Sequence, residues 1–163
     1  MRPLEGLFVL DFSTLLPGPL ATLLLAEAGA EVVKIEPPGR GEEMRGHAPK
    51  WGHDSVSFAL LNRGKRSVAL DLKNVAQRSR LGPLVKRADV IVEQFRPGVM
   101  KRLGLDYDSV AEVNPRVIYC SISDMGKAAL NETLPRMTST ISATQVCWRY
   151  RWAIRAGPSC RQR

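Results

Sequence analysis

The sequence predicts an α/β fold, a Rossmann-like parallel sheet with flanking helices, and three observations predict it. Apolar runs of strand length alternate with helix-length segments from Leu7 to Ser121. The first strand, helix and second strand, within residues 7–35, have the spacing of a parallel βαβ unit. Pro and Gly punctuate the runs at Pro17-Gly18-Pro19, Pro37-Pro38-Gly39, Gly82-Pro83 and Pro97-Gly98.

Residues 7–12 are the first strand. The turn Leu16-Pro17-Gly18-Pro19 carries prolines suited to a first helical turn, and a helix is expected over residues 20–28, closed by Gly29. Residues 31–35 form the second strand. Residues 39–53 are polar and Gly-rich and read as a functional loop or lid. A short helix follows over residues 55–61, then a strand over 67–72 with period-two alternation. Residues 74–87 have a modest helical stripe (Val75, Leu81, Leu84, Val85) that Gly82-Pro83 weakens. A strand over 88–95, short helices over 99–103 and 106–113, and a strand over 116–121 complete the series.

The chain has 163 residues, 44% hydrophobic and 25% charged, enough for one domain with a real core. Its net charge of +8 suggests an anionic partner. That charge is uneven. Residues 124–163 hold seven Lys/Arg against two Asp/Glu, so most of the excess lies there. Nucleic acid is not the expected partner, because no recognition helix or stacking aromatics accompany the charge. The three cysteines, Cys120, Cys147 and Cys160, have no metal spacing, and no metal is expected. The apolar stretch 15–30 is too short to span a membrane and contains Pro17, Pro19 and Glu27. Glu5 and Asp11 precede it, unlike a signal peptide, so a cytoplasmic protein without membrane attachment is expected.

Ligands of open α/β sheets sit beyond the carboxyl ends of the strands. Three turns are placed there. Leu16-Pro17-Gly18-Pro19 would offer free backbone N–H groups to an anion; a plain chain reversal is the alternative. Arg63-Gly64-Lys65-Arg66 sets three cations within four residues, fit for phosphate or for simple solvation. Glu93-Gln94-Phe95-Arg96-Pro97-Gly98, followed by Lys101 and Arg102, could hold an adenine or a ribose phosphate, or be a capped helix start. Asp11 reads as a structural cap. Three anion-friendly turns at one sheet edge suggest a ligand with several phosphates, and CoA is one such ligand. Neither a G-x-G-x-x-G, nor a P-loop, nor a nucleophile elbow occurs.

Several runs together carry a family likeness. They are Pro3-Leu4-Glu5-Gly6 with Val9-Leu10-Asp11-Phe12, Pro17-Gly18-Pro19, Gly29-Ala30-Glu31-Val32-Val33-Lys34-Ile35-Glu36, Asn62 through Lys73, Ala88 through Gly98, and Asn114-Pro115-Arg116-Val117-Ile118-Tyr119. Over residues 3–123 the sequence resembles the family III CoA transferases (CaiB/BaiF type) and their relatives, the α-methylacyl-CoA racemases. The resemblance implies a CoA thioester as the small-molecule substrate. It implies that Pro17, Gly18, Lys65, Arg66, Leu70, Leu72, Gln94, Phe95, Arg96 and Lys101 line the CoA site. It also implies an interlocked homodimer. Leu16 stands where many transferases place Gln, and Pro37 where some place an Arg.

In the transferases a downstream Asp is the acyl-accepting nucleophile, and in the racemases a His and that Asp work as acid and base. Both positions fall in or beyond residues 124–163, so no catalytic residue is assigned within the chain, and an inactive polypeptide is expected. The transferase is the favoured parent. A CoA-transferring enzyme, a non-catalytic fragment with weak CoA affinity and a basic nucleic-acid binder are the three readings compared.

After Ser123 the family pattern stops. Read one base back, Asp124 through Leu130 permits G-Y-G-Q-S-G-P, and residues 136–141 permit H-D-I-N-Y. Met has one codon, so Met137 before Thr138 forces an Asp, and Met125 before Gly126 forces a Gly. The expectation is an incomplete CoA-binding domain over residues 1–123 and an out-of-frame basic tail over 124–163.

Overall fold

The structure, a computed structural model, describes residues 2–122. The boundary at Ser123 and the expected out-of-frame tail lie outside the described residues.

Five parallel strands form one sheet in the order β5-β2-β1-β6-β7. They are β1 (Phe8–Phe12), β2 (Glu31–Glu36), β5 (Arg66–Ala69), β6 (Val90–Glu93) and β7 (Ile118–Ser121). β1 is central, with Leu10 beside Val33 of β2 and Ile91 of β6. All five of its residues are buried, as expected for a strand covered on both faces. Alternation divides the side chains. Phe8, Leu10, Phe12, Val33, Ile35 and Ile91 join one core cluster, and Val9, Val32 and Val92 join another.

Helix α1 (Pro17–Glu27) connects β1 to β2 and packs Leu25 and Ala26 on the second cluster. It starts three residues before the expected Leu20. Pro17 and Pro19 are tolerated because first-turn N–H groups have no helical partner. Gly29, at φ +109, reverses the chain into β2.

The expected loop over 39–53 is more ordered than its composition suggested. It holds a one-turn 3-10 helix, Glu43–Gly46, and a small hairpin of β3 (Lys50–Trp51) and β4 (Asp54–Ser55). Ser55 caps α2 (Val56–Leu61), its hydroxyl accepting from Phe58 N–H at 2.9 Å.

The strand expected over 67–72 pairs only as far as Ala69, opposite Glu36. Leu70 N–H still donates to Glu36 O at 2.8 Å, but Pro37 and Pro38 then remove the donors that would extend the ladder. The helix expected over 74–87 is two helices, α3 (Val75–Ser79) and α4 (Gly82–Arg87). Pro83 cannot donate into a preceding turn but fits the first turn of a new helix. α5 (Val99–Arg102) and α6 (Tyr107–Val113) complete the helices. Val85, Met100 and Val110, from α4, α5 and α6, fill the first cluster.

β1 and β2 wind toward one edge, and β6 and β7 toward the other. The winding therefore reverses between β1 and β6, where open α/β sheets place their ligands.

Candidate functional site at the topological switch point

β1 ends at Phe12 and β6 at Glu93, so Ser13–Gly18 and Gln94–Gly98 face each other across the switch point. One hydrogen bond joins them, Gly18 N–H to Gln94 Oε1 at 3.1 Å. Only a glycine allows this approach: a β-carbon at position 18 would lie 2.5 Å from Ser13 Oγ and 2.8 Å from Gln94 Oε1.

The first turn of α1 does not offer the free N–H groups that its position suggested. Pro17 and Pro19 have none, Gly18 gives its own to Gln94, and Leu20 donates to Leu16 O at 2.9 Å. This correction was readable in the Pro-Gly-Pro triplet itself.

Beneath the junction is a buried polar network. Asp11, fully buried, accepts from Ser13 N–H at 2.8 Å, from Ser13 Oγ–H, from Thr22 Oγ1–H at 2.5 Å and from Lys65 Nζ at 3.3 Å. Asp11 is thus the structural residue its position suggested. Lys34 Nζ donates to Ser13 O at 2.7 Å and stands 2.7 Å from Glu42 Oε2. Glu42 Oε1 accepts Leu15 N–H at 2.6 Å. Among the described residues Glu42 Oε2 makes no hydrogen bond of good geometry, and the ion pair with Lys34 is its partner there.

Glu36, next on β2, receives Arg45 through Nε at 2.7 Å and Nη2 at 2.8 Å, and Ser67 Oγ–H at 2.6 Å. Burial raises its proton affinity, but Arg45 and the other donors outweigh that and hold it at about 2. Arg45 also bonds Asp54 at 3.0 Å and lies 3.7 Å over the Phe58 ring. Its charged form is strengthened by Glu36, against the cost of burial.

The basic turn stands elsewhere than expected. Residues 63–66 lead into β5, so they lie at its amino end and not at the shared carboxyl edge. Their cations are also engaged. Arg63 pairs with Glu27, Lys65 with Asp11, and Arg66 with Glu31 at 2.9 Å. Lys65 is 1% exposed and donates to Pro19 O, Thr22 Oγ1 and Asn62 Oδ1 at 2.8, 2.8 and 2.9 Å. Its ammonium ties the turn to α1 rather than projecting outward.

The remaining expected residues do gather at the carboxyl side. Leu70 and Leu72 follow β5, and their side chains belong to the first core cluster, as does that of the half-buried Phe95. Phe95 N–H is fixed by Glu93 Oε2 at 2.8 Å. Arg96 and Lys101 are exposed, and among the described residues neither makes an ion pair or a side-chain hydrogen bond. Both follow the carboxyl end of β6 at the switch point. A hollow of about 430 Å³, lined by Lys86, Arg87, Asp89 and Arg116, lies at the opposite, amino end of β6 and β7. Thr22, Lys34, Glu42 and Ser13 were not singled out from sequence. The one signal for them was a Lys inside the buried run Glu-Val-Val-Lys-Ile-Glu.

Fold and site define a doubly wound α/β protein whose strand order reverses between β1 and β6. The model of the CoA-transferase family III matches residues 4–145, and the chain belongs to that family. It is 42% identical over 141 residues to the acetyl-CoA:oxalate CoA-transferase of Acetobacter aceti, an alignment covering 86% of this chain and 36% of that protein. Among solved structures, a hypothetical protein from Mycobacterium tuberculosis superposes with a TM-score of 0.75 at 39% identity, covering 84% of this chain and 37% of that one. A CaiB/BaiF family protein from Brucella suis gives 0.69 at 37% identity, covering 74% and 33%. The chain spans about a third of the length of the curated relatives it matches. No helix among the described residues is long and apolar enough to cross a membrane.

Proposed function

We propose that this chain is the CoA-binding portion of a transferase that moves CoA between carboxylic acids. The observation that carries it is the pair Arg96 and Lys101, exposed and unpaired among the described residues, at the carboxyl end of β6 beside the Gly18–Gln94 junction. Phosphates seek such cations. Phe95 supplies an apolar edge for the adenine. The backbone at Leu70 through Leu72 lies three strand spacings away, about 14 Å, and an extended nucleotide thioester bridges that span where inorganic phosphate does not. Lys65 and Arg66 contribute through the position of the turn, Lys65 by holding α1. By the family resemblance the carboxylate that takes up the acyl group falls in or beyond residues 124–163, so the reading for the described residues is CoA binding.

Calorimetric titration of the purified chain with CoA and with dephospho-CoA tests this. Reversing both cations (R96E with K101E) should weaken CoA binding about tenfold or more and steepen nothing in the salt dependence that remains. Unchanged affinity in that variant, or no CoA binding by the wild-type chain, would overturn the reading.

A further inference from the structure

The hollow at the amino ends of β6 and β7 lies at the end of the strands opposite Arg96 and Lys101. Its volume of about 430 Å³ is that of a small-molecule site. Asn114, between α6 and β7, is 7% exposed and lines it. Asn114 Nδ2 donates to Val85 O at 2.9 Å and to Ala88 O at 2.7 Å, closing the carboxyl end of α4. Both neighbours are acceptors, so the amide cannot be turned round, and Oδ1 is left over. Among the described residues no donor reaches that oxygen. It is not sealed in the core either, so it opens toward the hollow.

Asp89 stands at the same mouth. Its Oδ2 accepts Phe8 N–H at 2.9 Å, which fixes the carboxylate. Its Oδ1 has Arg116 Nη2 only at 3.6 Å, whereas charge-assisted bonds close to about 2.7–2.9 Å. Arg116 is 86% exposed and only loosely held. Lys86 is exposed and, among the described residues, makes no ion pair or side-chain hydrogen bond. Arg87 is already committed to Glu31 and to the Phe8 ring, 4.2 Å away. Val113, 50% exposed, and Pro115 add an apolar wall.

The hollow therefore presents two acceptors, two cations with capacity to spare, and an apolar surface. An anion alone would be repelled by Asp89, and a cation alone by Lys86 and Arg116. A molecule bearing both charges on one carbon satisfies both sets.

We propose that this hollow binds an apolar α-amino acid. Its ammonium donates to Asp89 Oδ1 and Asn114 Oδ1, its carboxylate pairs with Lys86 and Arg116, and its side chain lies on Val113 and Pro115. The site is separate from the CoA-binding reading and does not rest on it.

The probe is L-leucine, titrated calorimetrically into the full chain. Beside it are 4-methylpentanoate, which lacks the ammonium, and 3-methylbutylamine, which lacks the carboxylate. L-leucine should bind saturably, and each analogue about tenfold or more weaker. Arg116→Gln alters an exposed side chain and so keeps the fold. It should weaken L-leucine about fivefold or more and leave 3-methylbutylamine no weaker. Asp89→Asn keeps an acceptor for Phe8 N–H. It should weaken L-leucine to a similar degree and leave 4-methylpentanoate no weaker. Absence of saturable L-leucine binding overturns the site, as does an analogue that binds as tightly as L-leucine. An L-leucine affinity unchanged in R116Q overturns it as well.

Discussion

Lys65 Nζ stands 3.3 Å from Asp11 Oδ2, with side chains 1% and 0% exposed. Burial disfavours the ammonium, and Asp11 offsets only part of that cost, so Lys65 is pulled down from 10.5 to about 8. The unfolded chain keeps this proton to higher pH. Above pH 8 it therefore binds more protons than the native state, and stability rises with pH. Burial also pushes the Tyr119 hydroxyl and the Cys120 thiol upward, Cys120 from an ordinary 9.0. Above about pH 9 the unfolded chain sheds those protons first, and stability falls. The free energy of unfolding in urea should thus rise by about 1 kcal/mol between pH 7.5 and 9, and K65M should lose that rise. A wild-type profile flat across this interval would refute the assignment.

The Lys34–Glu42 pair makes a sharper prediction about stability. Glu42→Gln keeps an acceptor for Leu15 N–H but leaves Lys34 charged, buried and unpaired. Breaking such a pair costs about 3–5 kcal/mol, whereas replacing both partners with Met costs much less than the two single changes summed. Urea unfolding of K34M, E42M and the double Met variant measures the coupling, with E42Q measured beside them. An E42Q chain within about 0.5 kcal/mol of wild type would show that the pair contributes nothing.

Gly18 is confined by contact rather than by its backbone angles. In Gly18→Ala the new methyl meets Ser13 Oγ, itself bonded to Asp11, and the Gln94 oxygen. Neither can retreat cheaply, so the α1 start must move and the Gly18–Gln94 bond break. We expect about 2 kcal/mol or more of lost stability and about a tenfold loss of CoA affinity. Adding Ser13→Gly should restore part of the stability by removing the obstructing atoms. No rescue in the double variant would place the clash elsewhere.

Much of this was legible in the sequence because β1, β2 and β6 are buried on both faces and so appear as short runs dense in Val, Leu, Ile and Phe, interrupted by Asp11 and Lys34. The switch point and its flanking turns follow from their order, and Arg96 and Lys101 were visible as cations after a strand. The hairpin over residues 50–55 was not visible, since strands of two residues show no alternation. The polar network was hidden for a different reason. Lys65 meets Asp11 across 54 residues and Lys34 meets Ser13 across 21, and neither separation leaves a periodic trace. The same gap explains the misplaced basic turn. Cation density marked Arg63, Lys65 and Arg66 as free, while Glu27, Asp11 and Glu31, their partners, lie far away in the chain.

The last prediction concerns the gene rather than the fold. Two single-codon constraints, Met125 before Gly126 and Met137 before Thr138, spell a Gly and an Asp one base back. They agree there with the G-Y-G-Q-S-G-P and H-D-I-N-Y runs. The family match to residue 145 pulls the other way, because a segment wholly out of frame has no reason to extend it past Ser123. Resequencing the coding DNA across Ser123 and onward past Arg163 decides between them. We expect an inserted or missing base near Asp124 and an open frame continuing in register. A chain read in the restored frame should carry the downstream carboxylate, and CoA transfer is the activity to assay in it. A confirmed reading without such a frame would make residues 124–163 genuine.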